Sequence, residues 1–382
     1  MRRRMVLIGW ELRKLWALPV LSVFLLLCLG FNGVLASEGY SEGYLPYTVS
    51  VTKTIGGQMS PEFDAALAAL PGNPDKAALL ADTAGAVDIY EDFDTAALSR
   101  TICGLYRLTG PLADALDAKY QRLQGAVATL AECDASLSLL AAARTRALTR
   151  TLAGICRALL MEGMLFAALL ALYACGYEQI AGTAGSVYAT RVGRGVQWAK
   201  LAAGALSSIA SFALLALGSV AVFAAIWRLG PVWNANVSSQ FHTLLVVALA
   251  LPFITWTPFT LAGYLAATLA LSAAVVLALY LLAFAAGLVT SDALKGFLLL
   301  LLAVTLTMLA LTFAGNAKLW GFYMALQFTP PALWLNQVQW FTDGGMNSLV
   351  PWQEIWETGF CLALGGLLFC AAKRRFDRKD VG

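Results

Sequence analysis

Residues 177–200, YEQIAGTAGSVYATRVGRGVQWAK, form a polar, glycine-rich and basic connection between two long apolar runs. The connection opens with Glu178, passes through Gly182, Thr183, Ala184, Gly185 and Ser186, and closes with Arg191, Arg194 and Lys200. A helix needs about 20 apolar residues to cross a hydrocarbon core of about 30 Å. The flanking runs 158–176 and 201–227 reach that length, and so do 17–36, 259–289, 296–315 and 353–372. The run 244–254 is too short to cross and is interrupted by Pro252, with Pro258 close behind. It reads as a surface-lying or re-entrant hairpin within an outer connection, 228–258.

Composition agrees with a membrane protein. The 382-residue chain is 59% hydrophobic and 13% charged, with a mean hydropathy of +0.71. Soluble chains are about a quarter charged. With both termini placed inside, the inner segments hold Arg2, Arg3, Arg4, Arg13, Lys14, Arg191, Arg194, Lys200, Lys295 and the tail 373–382, against only five acids. Segment 37–156 carries 14 acids against nine bases. Excess Lys and Arg in short flanks marks the cytoplasmic side, which predicts six membrane helices, cytoplasmic termini and an extracellular domain over 37–156. The fold expected is an all-α integral membrane protein, with that helical domain inserted between the first and second spans. The net charge of +3 is a sum over two opposed faces and gives no reason to expect nucleic acid.

The start of the chain has two readings. MRRR, an apolar core and Val34-Leu35-Ala36-Ser37 fit a cleavable signal peptide. Trp10, Glu11 and Trp16 before the core, and the near-full length of the core, favour a retained helix over 17–36. Residues 1–16 then form an amphipathic interface helix, with Met5, Ile8, Leu12, Leu15 and Trp16 on one face and Arg4, Glu11 and Lys14 beside it. In the 37–156 domain, Ser60-Pro61 and Gly110-Pro111 open helices, while 71–74 (PGNP) breaks one. Leu112, Leu116, Tyr120, Leu123, Val127 and Leu130 form a stripe at helical spacing that must pack on something, and the helix is expected to run on toward the second span.

Catalytic chemistry is sparse. A single histidine, His242, excludes HExxH and multi-histidine metal sites, and no metal site is expected. The absence of GxxxxGK[ST] means that the chain carries no P-loop ATPase of its own, and no enzyme activity is expected. Of seven cysteines, Cys103 and Cys133 lie well inside the outer domain and are the candidate disulfide; unpaired thiols are the default. Glu162 is an ionisable residue near the outer end of a span. It reads either as part of a translocation path or dimer contact, or as an interface-level acid paired with Arg157 or hydrated by headgroups. No chain of acids suited to proton relay is visible within the spans.

The 177–200 connection resembles the loop between the second and third spans of ABC-transporter permeases of the type-two exporter class. Glu178, Gly182, Thr183, Val187, Tyr188, Gly193, Arg194 and Lys200 carry the resemblance, together with ELRKLW before the first span and Met161-Glu162 upstream of Tyr177-Glu178. Ala189-Thr190 departs from the serine-rich turn that many members have. The resemblance implies a bacterial plasma-membrane efflux permease of six-span units working as a homodimer or heterodimer. A separate ABC ATPase subunit would bind ATP and Mg, with no cofactor on this chain. ATPase coupling would fall to Glu178, Gly182, Thr183, Tyr188, Arg191, Gly193, Arg194 and Lys200, aided by Arg4, Glu11 and Lys14 of the interface helix. A membrane-anchored sensor or scaffold and an ion-driven secondary carrier are the alternative readings.

Overall fold

The computed structural model describes residues 2–38, 40, 43–190, 192–246, 249–290 and 292–378. Arg191 and Lys379 lie outside them, as does the side chain of Arg4. The described chain is mostly helical, with six helices long and apolar enough to cross a membrane. It is a multi-pass helical membrane protein in architecture.

Helix α1 (Arg2–Trp16) is followed by α2 (Pro19–Ser37), the first of the six. Pro19 at the first helical position of α2 starts a new helix where its missing N–H leaves no bond unmade. Five helices intervene before the second apolar helix: α3 (Leu45–Ile55), α4 (Pro61–Ala69), α5 (Pro74–Thr83), α6 (Thr95–Tyr106) and α7 (Pro111–Glu132). Local chemistry sets their starts. Ser60 Oγ accepts the Phe63 N–H at 3.2 Å, Asn73 Oδ1 accepts that of Lys76 at 2.6 Å, and Asp94 Oδ1 accepts that of Ala97 at 2.9 Å. Each satisfies an otherwise orphaned backbone donor.

Helix α7 does not run on into the bundle. It stops at Glu132, and two short 3₁₀ turns at Ala135–Leu137 and Ala142–Arg144 precede α8 (Thr145–Ile180). Helix α8 begins at Thr145, ahead of the apolar run 158–176. Arg146 and Arg150 interrupt the apolar run there, so a search for uniform apolarity misses these turns. Leu148, Leu152 and Ile155 nevertheless bury one helical face.

Short α9 (Ala184–Tyr188) leads to α10 (Val196–Trp227). The connection after it holds the expected hairpin as a short two-stranded one, β1 (Thr243–Val246) pairing antiparallel with β2 (Leu249–Pro252). Helices α11 (Leu261–Thr290) and α12 (Ala293–Asn316) follow, then α13 (Trp320–Gln327), α14 (Pro330–Leu335) and α15 (Gln353–Arg378).

Helix α8 is the centre of the bundle, with α2, α10 and α11 against it and α15 packed on α11. Close crossing requires Gly163, where a Cβ would meet Phe212 of α10 at 2.7 Å and Val276 of α11 at 2.8 Å. Helix α12 is peripheral and leaves Leu298, Leu302, Leu306, Leu309 and Phe313 exposed. Helix α1, the 181–195 connection and the last turn of α15 gather at one end, called here the terminal end. The 45–144 segment, the hairpin and the 317–352 connection gather at the other. There Leu116, Tyr120, Leu123, Val127 and Leu130 of α7 are fully buried with Ile102 of α6, Ile254, Met324 and Met346.

Cys103 and Cys133 are both free, and the pairing of α6 with α7 explains why. Thr95 bonds Gln124 and Ser99 bonds Asp117, so the two helices are antiparallel. Cys103 therefore lies beside the first turns of α7, while Cys133 follows its last turn, roughly 30 Å away at 1.5 Å per residue. A disulfide needs Cα atoms within about 7 Å.

Candidate functional site at the terminal end

The end of α8 is built by a glycine. Gly182 adopts φ 66°. Its N–H bonds Gln179 O at 3.2 Å, while the Thr183 N–H reaches back to Glu178 O at 2.8 Å. This double bond pattern satisfies carbonyls left open at a helix end and suits a residue without Cβ. It turns the chain sharply, so that α10 returns beside α8 with Lys200 opposite Glu178.

The buried pair Glu178–Lys200 is the centre of the site. The Lys200 ammonium donates to Glu178 Oε2 and to Ala174 O, the latter at 2.7 Å. Glu178 Oε1 lies 3.7 Å from Lys14 Nζ, which bonds Glu11 Oε1 at 2.8 Å and sits 5.0 Å from the Tyr177 ring centroid. Four charges of alternating sign thus join α1, the end of α8 and the start of α10. A buried charge is tolerated when partnered in this way. Tyr280 of α11 extends the connection, donating from its hydroxyl to Lys200 O at 3.2 Å.

Placement of the expected coupling residues divides sharply. Glu178 and Lys200 are almost wholly buried, 1% and 0% exposed, so they cannot themselves be contact residues for a soluble partner. Gly182 and Thr183 are exposed, while Tyr188, Gly193 and Arg194 are half-buried. Arg194 donates to Phe376 O at 3.1 Å and to Asp377 O, capping open carbonyls in the last turn of α15. The Tyr188 ring meets that of Phe376 at 5.6 Å, and its hydroxyl accepts from Gln197 Nε2 at 3.3 Å. The connection is therefore tied to α1 on one side and to α15 on the other.

The orientation of α1 differs from the sequence reading. Glu11 and Leu15 are buried with Ile8 and Leu12 partly covered, while Met5, Trp10 and Trp16 face outward. The charge network draws the Glu11–Lys14 side inward, and this rotates the large apolar side chains out.

Glu162 meets α2 rather than Arg157. Its Oε2 accepts from Asn32 Nδ2 at 2.8 Å across the α2–α8 contact. Arg157 instead donates to Leu335 O at 2.6 Å and lies 5.2 Å from the Trp334 ring centroid. Asn32 is fully buried in a largely apolar helix, and sequence reading passed over it. A polar residue within an apolar run was the signal available.

Two further polar groups at the opposite end escaped the sequence reading. The fully buried Lys119 donates to the carbonyls of Asp343, Gly345 and Ser348 at 2.8, 2.6 and 3.1 Å. Tyr120 OH bonds Asp343 Oδ2 at 2.7 Å. Burial lowers the Lys119 pKa to about 8, so the ammonium stays charged at neutral pH. Glu354 and Glu357 are buried in the first turns of α15, two neighbouring acids in a span where the sequence reading saw no chain of acids suited to proton relay. His242 stacks on Phe253 at 3.9 Å, with Nδ1 2.9 Å from Val237 O. Among the described residues, no three His, Cys, Asp or Glu side chains gather to hold a metal.

Fold and site together define a multi-pass helical membrane protein with a buried charged hub joining its terminal-end elements. Comparison of the chain with family models, with curated proteins and with solved structures finds no match.

Proposed function

We propose that the chain is the permease subunit of an ATP-driven exporter, whose separate ATPase subunit bears on α1 and the 181–195 connection. The observation that carries this reading is the Glu11–Lys14–Glu178–Lys200 hub. A partner pressing on exposed Thr183 or Ser186, or on α1, acts through buried ion pairs on α8 and α10 together, and through Arg194 on α15. A partner can shift such a structure only by contacting its states differently, and the hub supplies a stiff route by which contacts at one end reach three long helices. Two copies of the chain, or one copy and a second permease, would enclose the path.

The test is co-purification of the tagged full-length chain with candidate ABC ATPases, followed by ATPase and transport assays in lipid. Thr183→Arg and Ser186→Arg should abolish association, whereas Glu178→Gln should leave association intact and cut transport per ATP hydrolysed at least tenfold. If no ATPase associates, or if Thr183→Arg and Ser186→Arg bind and export as the parent does, the reading fails.

The ion-driven carrier is the second reading, favoured by the buried carboxylates Glu162, Glu354 and Glu357. Substrate movement in ATP-free vesicles under an imposed proton gradient would select it.

A further inference from the structure

The first turns of α15 place Gln353, Glu354 and Glu357 on the face turned into the protein. Residues three apart on a helix have Cβ atoms about 5–6 Å apart, so the two carboxyl groups are neighbours. A Glu354 oxygen accepts the Phe341 N–H at 3.1 Å, and a Glu357 oxygen accepts Gln353 Nε2 at 2.7 Å. Neither bond brings a positive charge. Among the described residues, the ion pairs within 4.0 Å include neither glutamate.

Among the described residues, the titratable groups that interact with this pair from other elements are neutral: Tyr264 of α11 with Glu354 and Tyr323 of α13 with Glu357; the nearby Asp343 carboxylate accepts the Gly345 N–H. Cys361 lies one turn further along α15. Lys119 of α7 approaches the same 343–348 turn but gives its N–H groups to backbone carbonyls, and Tyr120 gives its hydroxyl to Asp343.

Both glutamates line a recess of about 20 Å³, which is room for about one water. Trp340 lines it too, is 2% exposed, and has an indole N–H with no protein acceptor. A buried donor without an acceptor is costly, and a water in the recess would satisfy it. Two neighbouring carboxylates shielded from solvent disfavour ionising together.

We propose that this recess is a proton-holding site, in which Glu354 and Glu357 share one proton and a bound water takes the Trp340 N–H while donating to a carboxylate oxygen. The proton comes from solvent and forms an O–H bond on one carboxyl; its release returns the pair to two carboxylates. Repulsion between these would open the contact between α15 and the 336–348 segment. The site stands independently of the exporter reading.

Infrared spectroscopy of the full-length chain in lipid tests it, because a protonated carboxyl has a C=O stretch separate from the amide and carboxylate bands. The parent should show this band at pH 7 and lose intensity on alkaline titration. Glu354→Gln/Glu357→Gln should remove that titrating intensity, leaving any contribution from Glu162. Either single substitution should lower the titration midpoint of the remaining acid by at least one pH unit, since its charged neighbour is gone. Should the double variant fail to insert, the single variants decide. The same protonated band at pH 7 in parent and double variant, or unshifted midpoints in both single variants, overturns the proposal.

Discussion

Lys119 shows how a single residue can be read in energetic terms. Three backbone carbonyls and the adjacent Tyr120 ring, 4.5 Å from the ammonium, replace the water it gives up. Burial still holds its pKa at about 8, below the unfolded value of about 10.4. Between these values the unfolded chain binds more protons, so stability rises with pH by up to about 1.4 kcal/mol per unit. Denaturant unfolding of the full-length protein from pH 8 to 10 should show that slope in the parent. Lys119→Met should flatten it and lower stability at pH 7 by about 3 kcal/mol, because the carbonyls lose their donor. Parallel pH curves for the two proteins would refute this account.

At the scale of elements, the α11–α15 contact depends on Gly365. A Cβ there would lie 2.8 Å from Leu281 Cβ and 3.3 Å from Ala278 O, atoms close to the backbone of α11 that cannot swing aside. Gly366, one residue on, faces open space, and a methyl group there would meet nothing within 4 Å. Gly365→Ala should therefore cost about 1–3 kcal/mol through overpacking, while Gly366→Ala should be neutral or slightly stabilising. Thermal unfolding in detergent compares the two, and equal shifts would mean that the helices are not locked at this crossing.

Much of the element pattern was readable in the sequence, since capping and proline rules act locally. Ser60-Pro61 and Gly110-Pro111 mark helix starts without reference to the rest of the chain, whereas PGNP at 71–74 was read only as a break although its Asn73 also caps α5. The buried depth of Glu178 and Lys200 was not readable. It depends on the register between α8 and α10, which the turn at Gly182 sets only in three dimensions. Asn32, Lys119 and Glu357 were overlooked for a related reason: their partners Glu162, the 343–348 turn and Gln353 acquire meaning only after packing, and two of those three lie more than a hundred residues away.

At the scale of the molecule, the two ends of the bundle differ in character, with a basic terminal end and an elaborated opposite end. The charge asymmetry predicts that a membrane separates them, with the terminal end cytoplasmic. In a cysteine-free background, an impermeant maleimide added to intact cells should label Asp94→Cys and spare Ser186→Cys until the membrane is opened. External labelling of Ser186→Cys would reverse the orientation.

The 45–144 segment leaves α2 and re-enters at α8 where those helices lie side by side, with Thr151 Oγ1 donating to Glu38 O at 3.3 Å. On that ground alone it could be exchanged between lineages as a cassette. Its stitches forbid this: Tyr90 OH donates to Ser238 O at 2.7 Å, Asn236 N to Ser138 Oγ at 2.8 Å, and α7 is pinned to the 343–348 turn. Three stretches distant in the chain are therefore held as one packed unit, in which Tyr120 binds the Asp343 carboxylate while Lys119 holds only backbone carbonyls of the same turn.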